Sequence, residues 1–282
     1  MTVDLHTHST ASDGSDSPAR LVEMAAAAGI RALALTDHDT QEGIPEARAA
    51  AQRSGLELVP GVELSLAYSD GGMHLVVLWL EPGRGPLQSR LVGLQSGRNT
   101  RNLRMVEILA GLGMPLTIEE VEAEAGGGSV GRPHIAAVMM GRGYVPDLRT
   151  AFELWLGHGK PGYVDRPRLA PEEAIALARE SGAVPILAHP HTLGITTAPE
   201  MAEVLTRLRR AGLVGLEAHY SAYRRHERAG YADLARRFDL IPSGGSDYHG
   251  TYKPDLVPGA GYGDLVVPAS VLEELAAHAG HR

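Results

Sequence analysis

Not one cysteine occurs in the 282 residues. That excludes thiolate zinc sites, iron–sulfur clusters and a cysteine nucleophile together. It also excludes a disulfide framework, which fits a reducing compartment. Aromatic residues make up only 5% of the chain, with two Phe and two Trp. Too few are present for the stacking array that holds long single strands of nucleic acid. No apolar run approaches the roughly 20 residues of a membrane span. The opening MTVDLHTHS has neither a basic stretch nor an apolar core, so no secretory signal is expected and the protein reads as cytoplasmic. An excess of positive charge is lacking too: the formal net charge is −8. Long duplex nucleic acid is therefore not an expected partner, because dense Lys/Arg patches drive that binding. A small anion remains admissible, since bound cations can invert the local potential.

What the chain does have is ordinary globular composition, 44% hydrophobic and 21% charged, at a length that α/β barrels use as a single domain. Short β-rich runs alternate with helical patterns. Strands are expected at 3–8, 32–36, 57–66, 74–80, 184–189, 214–219 and 241–247. Helices are expected at 18–28, where Ser17 caps and Pro18 opens, and at 43–54, closed by Gly55. Each of the last three strands follows an amphipathic helix. Repeated βα units imply a largely parallel, barrel-like sheet. The rhythm breaks between about 87 and 167, where helices are expected at 96–112, after a capping box at Thr117 and Glu120, at 133–142 and at 148–156. We read this as a helical insertion, dividing the chain into a barrel (1–86 and 168–282) and a substrate cap (87–167).

Thirteen histidines are unusual, and their positions are more so. His6 and His8 are two apart on an expected strand, so their rings share a face. His38 lies in Thr36-Asp37-His38-Asp39 at a strand end, and Glu63 lies within the next strand. His74 opens another strand, while Ala188-His189-Pro190, Glu217-Ala218-His219 and Asp247-Tyr248-His249 end theirs. Asp13 occupies the polar loop after the first strand. The C-terminal ends of parallel barrel strands are where catalytic side chains gather. A buried cluster of this kind without compensating charge would be costly, and neutral imidazole is the commonest nitrogen ligand of divalent metals.

These motifs, in this order, resemble the PHP (polymerase and histidinol phosphatase) family. The matching segments are Asp4-Leu5-His6-Thr7-His8-Ser9, Thr36-Asp37-His38-Asp39, Gly61-Val62-Glu63, Ala188-His189-Pro190 and Gly245-Ser246-Asp247-Tyr248-His249. The resemblance implies an α/β fold, a distorted (βα)7 barrel with a helical insertion domain. It implies two or three divalent metal ions (Mn, Zn or Fe). His6, His8, Glu63 and Asp247 would hold the first, Glu63, His74 and His189 the second, and Asp13, His38 and His249 the third. His6, His8, Glu63, His189 and Asp247 would form the catalytic centre, where a water made acidic by the ions attacks phosphorus.

The insertion carries its own signals. Arg98, Asn99 and Arg101 cluster on one helix. Arg132 and His134 begin another, where free N–H groups favour anions, and an arginine fork suits phosphate. Gly131-Arg132-Pro133-His134 and the run from Leu156 through Lys160 and Tyr163 to Val164 resemble the nucleotide-acting branch of the family. That resemblance implies hydrolysis of nucleoside 3′,5′-bisphosphates to 5′-monophosphates, with 5′-to-3′ trimming of short RNA as a related activity of the branch. The expected partner is a small phosphorylated substrate, a nucleotide or short oligonucleotide. Two other readings compete: a phosphatase for a small monoester such as histidinol phosphate, and a metal-binding module without turnover. The arginine-bearing insertion speaks against the first, and the complete ligand set against the second.

Overall fold

The computed structural model describes residues 2–68, 72–83 and 85–280. Among these residues six strands form one curled sheet in chain order: β1 (Ala32–Leu35), β2 (Glu57–Leu66), β3 (Met73–Leu78), β4 (Val184–Leu187), β5 (Gly215–Tyr220) and β6 (Ile241–Gly245). β1 and β2 run parallel, as do β4, β5 and β6, but β3 is antiparallel to both of its neighbours. Hydrophobic patterning carries no direction, so this reversal was not expected. It brings the beginning of β3 to the sheet edge where the other strands end: Ser65 faces His74, and Leu75 faces Leu187.

The expected strand at 3–8 is not a continuous ladder. It is extended chain making isolated bridges to both margins of the sheet, Asp4 to Leu33 of β1 and Thr7 to Tyr248 just beyond β6. The Leu5 N–H donates to Gly244 and the Asp247 N–H to His6, while Ala34 donates to Asp4. One segment can serve β1 and β6 only if the sheet curls. Gly245 permits the approach: a Cβ there would lie 2.4 Å from the His6 nitrogen.

Helices α1 (Pro18–Ala27) and α2 (Ile44–Ser54) flank β1. Ser17 accepts from the Arg20 N–H and so caps α1, and Gly55 closes α2 at φ +70°. α7 (Pro171–Glu180), α8 (Ala198–Ala211) and α9 (Arg225–Arg237) precede β4, β5 and β6, and α10 (Ala269–Ala276) ends the described chain. Alternation along β3 separates two cores. Leu75 and Val77 join Leu64, Leu187 and Leu205 on one face, and Val76 and Leu78 join Val3, Leu5 and Ile186 on the other.

Between β3 and β4 lie α3 (Pro86–Gly111), α4 (Ile118–Glu124), α5 (Arg132–Gly141) and α6 (Leu148–Ala151), the last running into a π-helical turn at Phe152–Leu156. The Thr117/Glu120 capping box forms. α3 starts ten residues earlier than expected, at a Pro in its first turn. Its buried stripe is Leu87, Leu91, Leu94, Arg98, Arg101, Asn102, Met105 and Leu109, the three-and-four spacing of one helix face. The leucines at its start pack against the sheet, whereas Met105 and Leu109 enter a separate core with Val121, Ile135, Met139 and Leu156. The arginines fall between the two. Among the described residues no helix is long and apolar enough to cross a membrane.

The close passage at Gly245 yields a test. Gly245→Ala should cost about 1–3 kcal/mol, the usual penalty for overpacking a tight site, read as a lower urea midpoint at unchanged slope. An unchanged midpoint would mean that the N-terminal segment is not wedged against β6.

Candidate metal centre and anion pocket

Glu63 sits inside the curl, paired with Val76 and so on the same face of the sheet as that residue. It is 1% exposed. Five imidazoles surround its carboxylate. Oε2 lies 3.1 Å from His6 Nε2, 3.1 Å from His8 Nε2 and 3.3 Å from His38 Nδ1. Oε1 lies 2.9 Å from His74 Nδ1 and 3.0 Å from His189 Nε2. The elements explain the convergence: His6 and His8 come from the N-terminal segment, His38 follows β1, His189 follows β4, and the reversal of β3 places His74 among them.

Asp247 and His249 follow β6. Asp247 Oδ1 is 3.6 Å from His6 Nε2, 3.4 Å from His8 Nε2 and 3.4 Å from His249 Nδ1. Its Oδ2 accepts from the Tyr220 hydroxyl at 2.8 Å and pairs with Lys253. Asp13 reaches His249 at 3.4 Å, His8 at 3.7 Å and His38 at 3.8 Å. Among the described residues, three sets of side chains bring ligand atoms within 4.8 Å of one another: His6, His8, Glu63 and Asp247; His8, Asp13, His38 and His249; and His38, Glu63 and His74.

The donor set fits divalent cations. Burial disfavours a charged imidazole, yet Glu63, Glu217 and Asp247 push His6 well above its usual value. Against the same penalty, hydrogen bonds to Asp247 and Glu63 raise His8 to about 9. Burial raises the carboxyls in turn, but His6, His38 and His74 hold Glu63 well below the carboxylate range, and His38 and His249 do the same for Asp13. The cluster thus demands positive charge at its centre. Cations meet that demand with neutral rings, whereas protonation would desolvate several charges at once. His38 Nδ1, buried and without a hydrogen-bond partner, is available for such a contact. Ring orientation agrees: a carboxylate can only accept, so His6 Nδ1–H donates to Glu217 at 2.9 Å and turns Nε2 inward. His249 Nδ1–H likewise donates to the Asp247 carbonyl at 2.8 Å. The backbone is strained here as well, with positive φ at Asp39, His189 and Asp247, a feature that clusters at functional sites.

Beside the cluster opens a cavity of about 480 Å³. Asp13, His38 and His74 of the cluster line it together with Arg98, Arg101, Arg132, Arg166 and Arg168, and Tyr68, Phe152, His158 and Tyr163 are also in the lining. Arg98 (4% exposed) and Arg166 both donate to Asp39 Oδ2, at 2.5 and 2.6 Å. Burial raises the Asp39 carboxyl, but the two guanidiniums overcome this and hold it down at about 2. Arg101, 6% exposed, is pushed well below its usual value by burial and by Arg98, Arg132 and Arg166. Arg132 donates to the Leu156 carbonyl and lies over the Phe152 and Tyr163 rings. Asp39 takes up one positive charge of this wall, and Asp165 pairs with Arg168 at 2.9 Å.

Of the other sequence-derived candidates, Asn99, His134 and Lys160 fall outside the cavity lining, whereas Tyr163 is part of it. Asn99 is exposed, because it sits one residue off the buried stripe of α3. His134 is buried behind Asp13 and spends Nδ1 accepting the Gly131 N–H at the start of α5. Lys160 is exposed, while Tyr163 is held by Arg168. Of the groups beside the ligand positions, Glu217 joins the site, also accepting the His189 N–H. His191 turns to the Tyr223 hydroxyl, and His219 stands near Arg228 and Arg236 instead. Asp39, Arg166 and Arg168 went unmarked: Asp39 is the last residue of a recognised motif, but nothing local signals its partners.

If Glu217 orients His6, Glu217→Gln should weaken manganese binding about 10- to 100-fold, the usual effect of removing such a support. Competition against a chromophoric chelator would measure it. Unchanged affinity in a folded variant would sink the idea.

Three comparisons place the chain among known proteins. Residues 4–94 match the PHP domain, a span holding His6, His8, Asp13, His38, Glu63 and His74. A 5′-3′ exoribonuclease of Haemophilus influenzae is 37% identical over 249 residues, covering 87% of this chain and 89% of that one. A 3′,5′-nucleoside bisphosphate phosphatase of Chromobacterium violaceum is 32% identical over 250 residues, covering 88% and 87%. A solved structure from Bifidobacterium adolescentis, assigned as a metal-dependent phosphoesterase, superposes with a TM-score of 0.87 at 29% identity, covering 99% of this chain and 96% of that one. With identity sustained along nearly the whole of both curated relatives, the chain belongs to the PHP family of metal-dependent phosphoesterases.

Proposed function

We propose that this protein hydrolyses nucleotide phosphate esters, taking nucleoside 3′,5′-bisphosphates to 5′-monophosphates, with short RNA as a related substrate class. The observation that carries the reading is the mixed lining of the cavity. Candidate cation-holding residues and five arginines line the same space, and a substrate with two phosphates has one for each group. Relatives of both kinds, a bisphosphate phosphatase and an exoribonuclease, support the same substrate class.

We assign His6, His8, Glu63, His189 and Asp247 to the catalytic centre, with Asp13, His38, His74 and His249 completing the set that holds two or three cations. Divalent ions bound there supply positive charge to phosphoryl oxygens and make water more acidic. The protein's own part is positional. Glu217 and the Asp247 carbonyl fix the His6 and His249 rings. Arg98, Arg101, Arg132 and Arg166 bind the phosphate that is not cleaved, and Phe152 and Tyr163 offer ring faces to a base. The wall excludes water and holds the substrate so that the scissile phosphate meets the histidine cluster. In this reading the N-terminal segment counts as the seventh stave of a distorted (βα)7 barrel, and 87–167 act as a substrate cap between the barrel segments 1–86 and 168–282.

Phosphate release in Mn²⁺ from adenosine 3′,5′-bisphosphate and from histidinol phosphate tests the reading. Release from the bisphosphate alone is expected, and a preference for histidinol phosphate would overturn it. Arg101→Ala should raise KM for the bisphosphate about tenfold to a hundredfold, as loss of a hydrogen bond to a charged group implies, while kcat changes little.

A further inference from the structure

Asp39 ties two members of the arginine wall together, and it is 0% exposed. Its partners come from different parts of the chain. Arg98 lies on α3, and Arg166 lies in the connection before α7. Both NH2 groups converge on a single oxygen, Oδ2. Two guanidiniums repel each other, and without an anion between them they would splay apart. The shared carboxylate lets both face one cavity. Each keeps a buried nitrogen without a partner, Arg98 Nε and Arg166 NH1, and so does Arg101 at Nε.

The position of Asp39 is fixed from the other side. It follows His38 directly, at φ +57°. Its N–H donates to the Glu63 carbonyl at 2.9 Å, and its Oδ1 faces the Ser65 N–H at 3.4 Å. Both contacts are to β2, the strand that carries Glu63. The carboxylate is therefore bound rigidly to the same backbone that sets the histidine cluster.

We propose that Asp39 is a positioning residue for substrate recognition: it locks Arg98 and Arg166 at a fixed distance from the histidine cluster and so selects substrates whose second phosphate lies at a matching span. The inference rests on the two-phosphate reading given above. It makes Asp39 a ruler, acting through its arginines and touching no reacting atom.

The test compares kcat/KM for adenosine 3′,5′-bisphosphate and adenosine 3′-monophosphate, which lacks the second phosphate, in the manganese-loaded wild type and in Asp39→Asn. Manganese content and thermal midpoint are recorded alongside. The wild type should prefer the bisphosphate. In Asp39→Asn that preference should fall at least about tenfold, with the monophosphate rate within twofold and manganese retained. Adding Arg166→Gln to Asp39→Asn should then cost little more, because both changes break one unit. An equal fall on both substrates, or loss of manganese that accounts for it, would show a structural role only and overturn the proposal. Should Asp39→Asn not fold, Arg98→Gln and Arg166→Gln are combined instead; additive losses in preference would overturn it. A wild type with no preference would remove the two-phosphate reading and this inference with it. A clear wild-type preference left intact in Asp39→Asn would remove the Asp39 inference alone.

Discussion

Everything at the site is arranged around one carboxylate. Glu63 has five imidazoles within 3.3 Å, and such a group is affordable in an apolar interior only if positive charge is supplied. The fold is organised to bring the five together. The N-terminal segment threads between the margins of the sheet to deliver two rings, β1 and β4 each deliver one at their ends, and β3 runs backwards to deliver the fifth at its start. A parallel β3 would have put His74 at the opposite edge, away from Glu63. The antiparallel strand, an irregularity for the fold, is a requirement of the site.

Charge also explains why the two groups lining the cavity differ. The histidine cluster holds four buried carboxylates, Asp13, Glu63, Glu217 and Asp247, and calls for cations. The wall has an excess of guanidinium and calls for anions. In the proposed reading a phosphate ester satisfies both, lying between positive charge lent by ions and positive charge owned by the chain. An overall formal charge of −8 is no obstacle, since the local field is set by groups inside the cavity.

Much of this was legible in the sequence, for local reasons. His6 and His8 share a face by strand period, and His189, Asp247 and His249 sit where β-rich runs stop. The motif order reached the family before any geometry. Arg98 and Arg101 were legible from helix spacing; Asn99 breaks that spacing and falls outside. What stayed hidden depends on pairing across long separations. Asp39 and Arg166 are 127 residues apart, and neither patterning nor composition links them. Arg166 and Arg168 lie in irregular chain, where no period marks an inward face. The direction of β3 was equally invisible, although a histidine at the start of a strand, when its fellows stand at strand ends, was a clue to the reversal.

The continuity of α3 has a consequence for motion. One unbroken helix is anchored by Leu87, Leu91 and Leu94 in the sheet core and by Met105 and Leu109 in the other. It carries Arg98 and Arg101 between these anchors, like a beam fixed at both ends. Such a beam offers no hinge, so Arg98 and Arg101 do not swing with a lid. The cost of arranging these two arginines is met during folding and not at each turnover.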